Sequence, residues 1–365
     1  MMENRDTIQT QETIKPPTTS VGAIGWIKAN LFNSLFNSIL TLLTLLLLWK
    51  IIPPFVNWAF IDSMWWSTSA ECREAEGACW SIIPANIRFI LFGFFPYESQ
   101  WRPLLAMIIL ASLLFYSRNR AHWKKSLVYS WLAGLIIMGL LMKGGILWLA
   151  PVESSQWGGL PLTLLLSVFG LAAAYPLGVV LALGRQSQMP TIKALCIIYI
   201  EMIRGVPLIT LLFMSSIVFP LFLPEGVSVN AILRAQVAII MFTAAYIAEV
   251  VRGGLQGMAA GQYEAAESLG LNYHQTMRLV ILPQALKIVI PPTVSQLISA
   301  LKDTSLVVII ALYDLLKTTQ STLSNPDWMA YSSEVYIFVA LIYFACCYFM
   351  SSYSRRLEEE LDRGL

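Results

Sequence analysis

Charged side chains interrupt several long apolar runs of this sequence. Glu201 and Arg204 are three residues apart, as are Glu249 and Arg252, a spacing that places both members of a pair on one face of a helix. A charge at the centre of a membrane-spanning helix costs about 2.5–3.5 kcal/mol on insertion scales, so such groups face protein or water. Each pair could therefore neutralise itself and hold helices together, or it could line a polar path.

A second polar group lies in the middle of the apolar run from Ile288 to Leu312. Gly205 and Pro207 break another run just after the first charged pair, and broken helices often frame transport sites. A zwitterionic solute requires a donor for its carboxylate and an acceptor for its ammonium group. The candidate contacts along such a path are Glu201, Arg204, Lys302, Asp303, Thr304 and Ser305.

The elements that must position these groups are membrane spans. Hydrophobic residues make up 57% of the 365 residues and charged residues 13%, about half the charged share of a soluble domain. The net charge of +2 gives no indication of nucleic-acid binding. A spanning helix needs roughly 20 apolar residues. We predict eight spans, at about 35–49, 102–117, 127–149, 160–183, 192–223, 231–251, 288–312 and 335–353.

Basic residues in short loops mark the cytoplasmic side of a membrane protein. One such loop contains Arg118, Arg120, Lys124 and Lys125. Basic or mixed loops recur on alternate sides of the spans, which places both termini in the cytoplasm. Residues 1–30 are predicted as a flexible cytoplasmic tail, 31–156 as a three-helix extension, and 356–365 as a second cytoplasmic tail.

The loop from Ile51 to Trp101 is rich in tryptophan, which is typical of a membrane interface. Its apolar stretch 87–95 is too short to span, so we predict an interfacial or re-entrant segment. Cys72 and Cys79 lie in this loop, which we place outside the cytoplasm. An oxidising compartment permits a disulfide between them, and two free thiols are the alternative.

The loop before the seventh run has the sequence of a helical hairpin. Residues 263–269 favour a helix that Gly270 would end in a left-handed cap. Asn272 and Gln275 have the spacing of a capping box at the start of a second helix. Pro283 closes the segment. We predict a compact knob of two short helices on the cytoplasmic surface, with small side chains on one face.

This segment resembles the EAA loop of ABC importer permeases, whose motif is E-A-A, three residues, G, nine residues, I, one residue, L-P. Six of the seven fixed positions match, and Val280 stands in place of isoleucine. The matching residues are Glu264, Ala265, Ala266, Gly270, Leu282 and Pro283. The resemblance implies that residues 253–287 form a coupling loop that docks on a separate ATP-binding subunit. The chain itself contains no GxxxxGK[ST] phosphate loop.

Three further stretches resemble the histidine and glutamine permease group of polar amino-acid importers. They are Glu201-x-x-Arg204-Gly205-Val206-Pro207, Ala245-Tyr246-x-x-Glu249-x-x-Arg252-Gly253-Gly254 and Lys302-Asp303-Thr304-Ser305-Leu306. The resemblance covers about 159–355, and the longer N-terminal part is similar to the permeases of general L-amino-acid transporters. It implies an all-α polytopic protein with about eight transmembrane helices: a five-helix type I core over 157–355, preceded by three N-terminal helices.

The same resemblance implies an amino-acid importer of the bacterial inner membrane and its partners. These are two copies of an ATP-binding subunit that use ATP and Mg²⁺, a second and non-identical permease, and an extracytoplasmic solute-binding protein. By itself the chain would be no enzyme and would bind no cofactor or metal. Its other contacts would be the lipid bilayer and the amino-acid substrate, and not nucleic acid.

Three other classes of function compete with this one. An ion-coupled secondary transporter or a channel for a small polar solute would also have eight spans with buried charges. However, we find no internal repeat of the kind that many secondary transporters contain. An importer for a different solute also fits the residues. An intramembrane enzyme is disfavoured, because the chain has two histidines and lacks HExxH and GxSxG motifs.

Overall fold

The computed structural model describes residues 22–146 and 148–362, apart from the side chains at positions 120, 361 and 362. The polypeptide forms two compact units, one ending at Cys79 and the other beginning at Trp80. This boundary lies inside the extension predicted for residues 31–156. The flexible tail predicted for residues 1–30 lies outside the described residues up to position 21, whereas residues 22–30 form a helix.

The first unit contains a long apolar helix. Its helices are α1 (Gly22–Asn30), α2 (Leu35–Val56) and α3 (Ser69–Glu74). The prediction that the first span ends near Trp49 was wrong, because α2 continues through Pro53 and Pro54. A wider π turn follows over Asn57–Ile61, and the Asn57 N–H reaches the carbonyls of both prolines. Such local adjustments let helices tolerate proline inside membranes.

The loop after α2 is ordered by a disulfide between Cys72 and Cys79, whose Cα atoms are 5.7 Å apart. Both cysteines are buried. Two backbone bonds hold the same region, from Met64 N to the carbonyl of Ala78 and from Ala78 N to that of Trp58, each 2.8 Å long. The structure therefore adopts the disulfide that the sequence left open.

The second unit contains the remaining spans. Its helices are α4 (Ile82–Phe92), α5 (Trp101–Ser117), α6 (Lys125–Lys143), α7 (Gly159–Arg185), α8 (Pro190–Gly205), α9 (Leu208–Phe213), α10 (Ala231–Gln256), α11 (Ala260–Ser268), α12 (Tyr273–Gln275), α13 (Leu282–Ile288), α14 (Ile290–Asp303), α15 (Leu315–Thr322) and α16 (Ser332–Asp362). Turns of π and 3₁₀ type extend α9 to Phe222, and a 3₁₀ turn over Thr304–Ile310 extends α14.

One predicted span end in this unit was wrong. The helix expected to reach position 149 stops at Lys143, because Gly144 and Gly145 adopt φ values of +68° and +80°. Glycine pays no steric penalty in this region and commonly ends helices. The last helix runs on to Asp362, so the tail predicted from residue 356 is helical as far as the structure describes it.

The core of this unit is the contact between α7 and α10. Gly178 allows the two helices to approach closely, since a Cβ there would lie 2.6 Å from Ile247 Cγ2 and 2.9 Å from the Ala244 carbonyl oxygen. Small residues at such crossings let van der Waals contacts drive association where the surrounding lipid is as apolar as the side chains.

The α8–α9 pair is bent by 102° at Val206–Pro207, as the break predicted at Gly205 and Pro207 required. A hydrogen bond shows that the bent pair still crosses the membrane. Asn230, before α10, donates to Ser154, before α7. Because α7 carries the chain to the opposite side, the bent pair must bring it back. Unit 2 then has seven crossings, and the apolar α2 makes eight candidate spans among the described residues.

Two short helices pack into this unit without spanning it. Gly158 and Gly159 form parallel bridges with the two-residue strand β1 (Tyr313–Asp314). The buried Asp314 then caps α15, accepting hydrogen bonds from Leu316 N and Lys317 N. Both α4 and α15 contact α7. Helix α4 contains most of the apolar stretch that was predicted to be re-entrant or interfacial.

A single buried arginine joins α5 to the end of α6. Arg102 is 1% exposed. Its guanidinium donates to the carbonyls of Leu141, Ala150 and Met142 at 2.7, 2.8 and 3.4 Å. The first and last of these carbonyls belong to the final turn of α6, where a cation also meets the negative end of the helix dipole.

Candidate coupling segment and polar path

The predicted knob is a helical hairpin between α10 and α14. Its first helix, α11, ends at Gly270, whose φ of +73° is the left-handed conformation predicted from the sequence. The cap is closed by hydrogen bonds from Gly270 N to Glu267 O and from Leu271 N to Ala266 O, at 2.8 and 3.1 Å. The capping box is also present, because Asn272 and Gln275 exchange two bonds of 3.0 Å.

The second half of the hairpin is firmly attached to the membrane core. Pro283 was expected to close the segment, but it lies in the first turn of α13, where its missing N–H interrupts no bond of that helix. The chain is helical from Tyr273 to Ile288 as a result. Buried residues on this stretch pack against α10; they are Met277, Ile281 and Ala285, with Ile247, Val251 and Leu255 opposite.

The hairpin leaves an outer face uncovered. Glu264, Ala265 and Pro283 are exposed, and Leu269 is 79% exposed at the tip. Ala265 and Ala266 were predicted to form a small-residue face, and of the two only Ala265 is exposed, because Ala266 is buried. Leu282 is half-buried. The two halves are linked by a hydrogen bond from Gln284 Nε2 to Gln262 Oε1. Burial of the nearby Tyr263 side chain raises the pKa of its hydroxyl, which stays neutral.

The two charged pairs predicted from the sequence merge into one cluster around Glu249. This carboxylate pairs with Arg252 on its own helix, as predicted, and also with Arg185 of α7 at 3.3 Å and Arg204 of α8 at 3.7 Å. Glu201 does not pair with Arg204. It binds Arg185 at 2.8 Å. The cluster of three arginines and two glutamates therefore has a formal charge of +1 and ties α7, α8 and α10 together.

Of the three arginines, Arg204 has the weakest contacts with the carboxylates. Among the described residues, its buried Nε has no hydrogen-bond partner, and its only ion pair is with Glu249 at 3.7 Å. The guanidinium carbon lies 5.5 Å from the centre of the Tyr246 ring, within the range of a cation–π contact. It stands one residue before Gly205, at the end of α8. An anion at this bend would find both a charge and a free donor.

The other predicted group lies where α14 changes into a 3₁₀ turn. Lys302 is exposed, Asp303 and Ser305 are half-buried, and Thr304 is buried with its hydroxyl on the Leu301 carbonyl at 2.7 Å. In the described part of the chain, no hydrogen bond or ion pair joins this group to the arginine cluster. The structure thus places the six path candidates in two separate groups.

Sequence reasoning missed Arg185 and Asp314. Arg185 follows the apolar run 160–183 and was not among the predicted path residues. Its partner Glu201 is 16 residues further on, and no periodicity links the two positions. Asp314 was placed at a span end. Its capping function could have been found from the spacing of an aspartate before a helix-forming stretch.

Seven crossings, a bent span and an exposed helical hairpin on one membrane face define a permease component of a transport system. The chain belongs to the family of binding-protein-dependent transport system inner membrane components, whose model matches residues 174–363. It is thus a multi-pass permease subunit with a type I importer core, and the ATPase of such a transporter is a separate chain.

Full-length relatives agree with this assignment. The chain is 47% identical to the inner membrane amino-acid ABC transporter permease protein YhdY of Escherichia coli, over 94% of both chains. It is 38% identical to the glutamate/glutamine/aspartate/asparagine transport system permease protein BztC of Rhodobacter capsulatus, over 95% of both. Both relatives extend across the N-terminal spans as well as the core.

A solved structure covers the core alone. It is an amino acid ABC transporter with histidines, 32% identical, with a TM-score of 0.51 over 55% of this chain and 92% of that one. These relatives are all ABC transporter components, so the ion-coupled alternative has no support among them.

Proposed function

We propose that this chain is the permease subunit of an amino-acid importer and that the hairpin from Ala260 to Ile288 couples it to a separate ATP-binding subunit. The observation that carries the proposal is the attachment of the hairpin. Its outer face is exposed, whereas its inner face is packed on α10, which also carries Glu249 of the arginine cluster. Displacement of the hairpin would therefore act directly on helices that border the bent span.

The importer would contain further subunits. Two ATP-binding subunits would supply energy from ATP and Mg²⁺, and a second, non-identical permease would complete the path. A solute-binding protein would deliver the amino acid on the opposite side of the membrane from the hairpin. Both termini would be cytoplasmic, as the basic loops on the hairpin side predict. The similarity to two amino-acid permeases over 94–95% of the chain supports the assignment to an amino-acid importer.

Gly270→Asp tests the coupling step. A Cβ at Gly270 meets nothing within 4 Å, so the variant changes the left-handed cap and the surface charge without an internal clash. We expect loss of the ATP-binding subunit in a pull-down from native membranes and loss of uptake. Gly261→Asp adds the same charge to α11 at a position without positive φ. Gly270→Asn keeps a residue that tolerates the left-handed region.

The outcomes of this experiment separate the causes. If Gly261→Asp and Gly270→Asn both retain the ATPase while Gly270→Asp loses it, the docking surface includes the capped tip. Wild-type assembly and uptake in Gly270→Asp would refute the assignment. Uptake that persists without ATP and depends on an ion gradient would restore the secondary-transporter alternative.

The substrate would be recognised at the two polar groups. Arg204 would bind the carboxylate through its free Nε, and Asp303 would accept from the ammonium group. Arg204→Gln and Asp303→Asn should each reduce uptake by about tenfold or more while leaving the ATPase bound, because a lost hydrogen bond to a charged group is worth about 1.5–3 kcal/mol. Lys193→Gln, an exposed change on α8, is the matched control. Normal uptake kinetics in both variants would mean that Arg204 and Asp303 have only a structural role.

A further inference from the structure

A strongly basic region lies at the end of α5, far along the chain from the arginine cluster. No acidic residue occurs between Glu98 and Glu153. The loop from Arg118 to Lys125 contains four cations, and those whose side chains are described are exposed. None of Arg118, Lys124 and Lys125 belongs to an ion pair within the described chain.

Three aromatic side chains hold this loop in place by converging on Ser117. Trp123 Nε1 donates to the Ser117 carbonyl at 2.9 Å, and Trp131 Nε1 donates to its hydroxyl at 2.8 Å. Tyr353 of α16 donates its hydroxyl to the same carbonyl at 3.1 Å. His122 stacks on Tyr116 with ring centres 4.1 Å apart. The loop from Arg118 to Lys125 is therefore held in a fixed position. We call this loop, together with the residues that contact Ser117, the basic corner.

The bond from Tyr353 fixes the depth of this corner. Helix α16 begins at Ser332, and 21 residues later, at 1.5 Å per residue, Tyr353 stands about 30 Å away, the thickness of the hydrocarbon core. Ser117 ends α5 at the same level. Tryptophan and tyrosine prefer this boundary, where headgroups meet acyl chains. Each crossing reverses the side, so this boundary is on the same side as the coupling hairpin.

Charges from α16 complete the corner. Arg356 follows Tyr353 by three residues and therefore shares its helix face, adding a fourth described cation. Glu360 lies one further turn along this face, and Glu358 and Glu359 follow Arg356 on other faces, all further from the membrane boundary. On the membrane side, Phe115, Val128 and Tyr129 are exposed apolar groups.

We propose that Arg118, Lys124, Lys125 and Arg356 form a binding site for the phosphate of an anionic phospholipid headgroup in the leaflet on the coupling side. The cations stand at headgroup depth, and the exposed apolar side chains beside them accept the acyl chains. A lipid bound there contacts both α5–α6 and α16. It therefore attaches the N-terminal helices of unit 2 to the last helix of the permease core.

Lipid binding to the purified full-length chain in its complex tests the proposal. Native mass spectrometry would follow titration with phosphatidylglycerol and, separately, with phosphatidylcholine. The double variant K124Q/K125Q should bind phosphatidylglycerol about 30-fold more weakly, because each cation near an anionic membrane contributes about 1 kcal/mol. Its affinity for phosphatidylcholine should not change. The variant K193Q/K287Q removes two exposed lysines of unit 2 on the coupling side and should bind as the wild type does.

The charge-conserving variant K124R/K125R should retain phosphatidylglycerol binding, which separates loss of charge from misfolding. Equal weakening in both glutamine double variants would overturn the proposal, because it would indicate a diffuse charge effect. Displacement of the lipid by millimolar inorganic phosphate would also overturn it in favour of a free-anion site. Neither readout uses transport, so the result does not depend on the proposed coupling.

Discussion

Glu249→Gln should destabilise the permease more than any other single change of charge in the arginine cluster. Glu249 forms ion pairs with three arginines on three helices, and its side chain is 23% exposed. Without its charge, the remaining cluster has three arginines and one glutamate. Three cations would then face one another at the junction of α7, α8 and α10.

The expected loss of stability in Glu249→Gln depends on how deeply its ion pairs are buried. Two unit charges about 4 Å apart interact by about 4 kcal/mol at an effective dielectric constant of ~20, and desolvation offsets much of that. Breaking a fully buried pair costs about 3–5 kcal/mol, and an exposed pair is worth less than about 1 kcal/mol. For a site about one-quarter exposed, we expect a loss of about 2–3 kcal/mol in the free energy of unfolding. With an unfolding entropy of about 2.1 cal/mol/K per residue, that corresponds to a fall of about 3–4 °C in Tm for the 365-residue chain.

Glu201→Gln provides the matched control. Glu201 has one partner, Arg185 at 2.8 Å, and its side chain is 54% exposed. Its loss should lower Tm by about 1 °C or less. Thermal unfolding of both variants in lipid nanodiscs, followed by tryptophan fluorescence, gives the comparison. Equal falls in Tm in the two variants, or no fall in Glu249→Gln, would refute the view that Glu249 is the common ion-pair partner of the three arginines.

Three other predictions concern single contacts. Arg102→Gln should lower the free energy of unfolding by about 2–4 kcal/mol, because it leaves buried carbonyls of α6 without donors. The control Arg88→Gln loses only a contact with the exposed Tyr97 ring, so it should have a much smaller effect in the same thermal-unfolding measurement. Gly178→Val should cost about 1–3 kcal/mol through overpacking against Ile247, whereas Gly139→Val, with open space around it, should not disturb packing. In a variant with Cys196, Cys346 and Cys347 replaced by alanine, maleimide should label the protein only after reduction, and labelling without reductant would disprove the disulfide.

The sequence predicts the membrane spans well because the bilayer imposes a length and a polarity on each helix. It fails where backbone conformation decides the end of a helix. Gly144 and Gly145 stop α6 within an apolar stretch, and Pro53 and Pro54 fail to stop α2. A glycine can continue or end a helix, and a proline can be absorbed by a wider turn. The choice depends on neighbours that a single sequence does not display.

The candidate sites differ in the same way. The coupling hairpin is local: its cap and its capping box involve residues three to five apart, so spacing alone predicts both. The charge cluster is non-local, since Arg185 and Glu249 are 64 residues apart. Local spacing suggested that Glu201 pairs with Arg204. The packing of α7 instead brings Arg185 to within 2.8 Å of Glu201. Arg204 is left with an unpartnered Nε as a consequence. The donor that we assign to the substrate carboxylate thus arises from tertiary competition for two carboxylates, which only the packed helices could show.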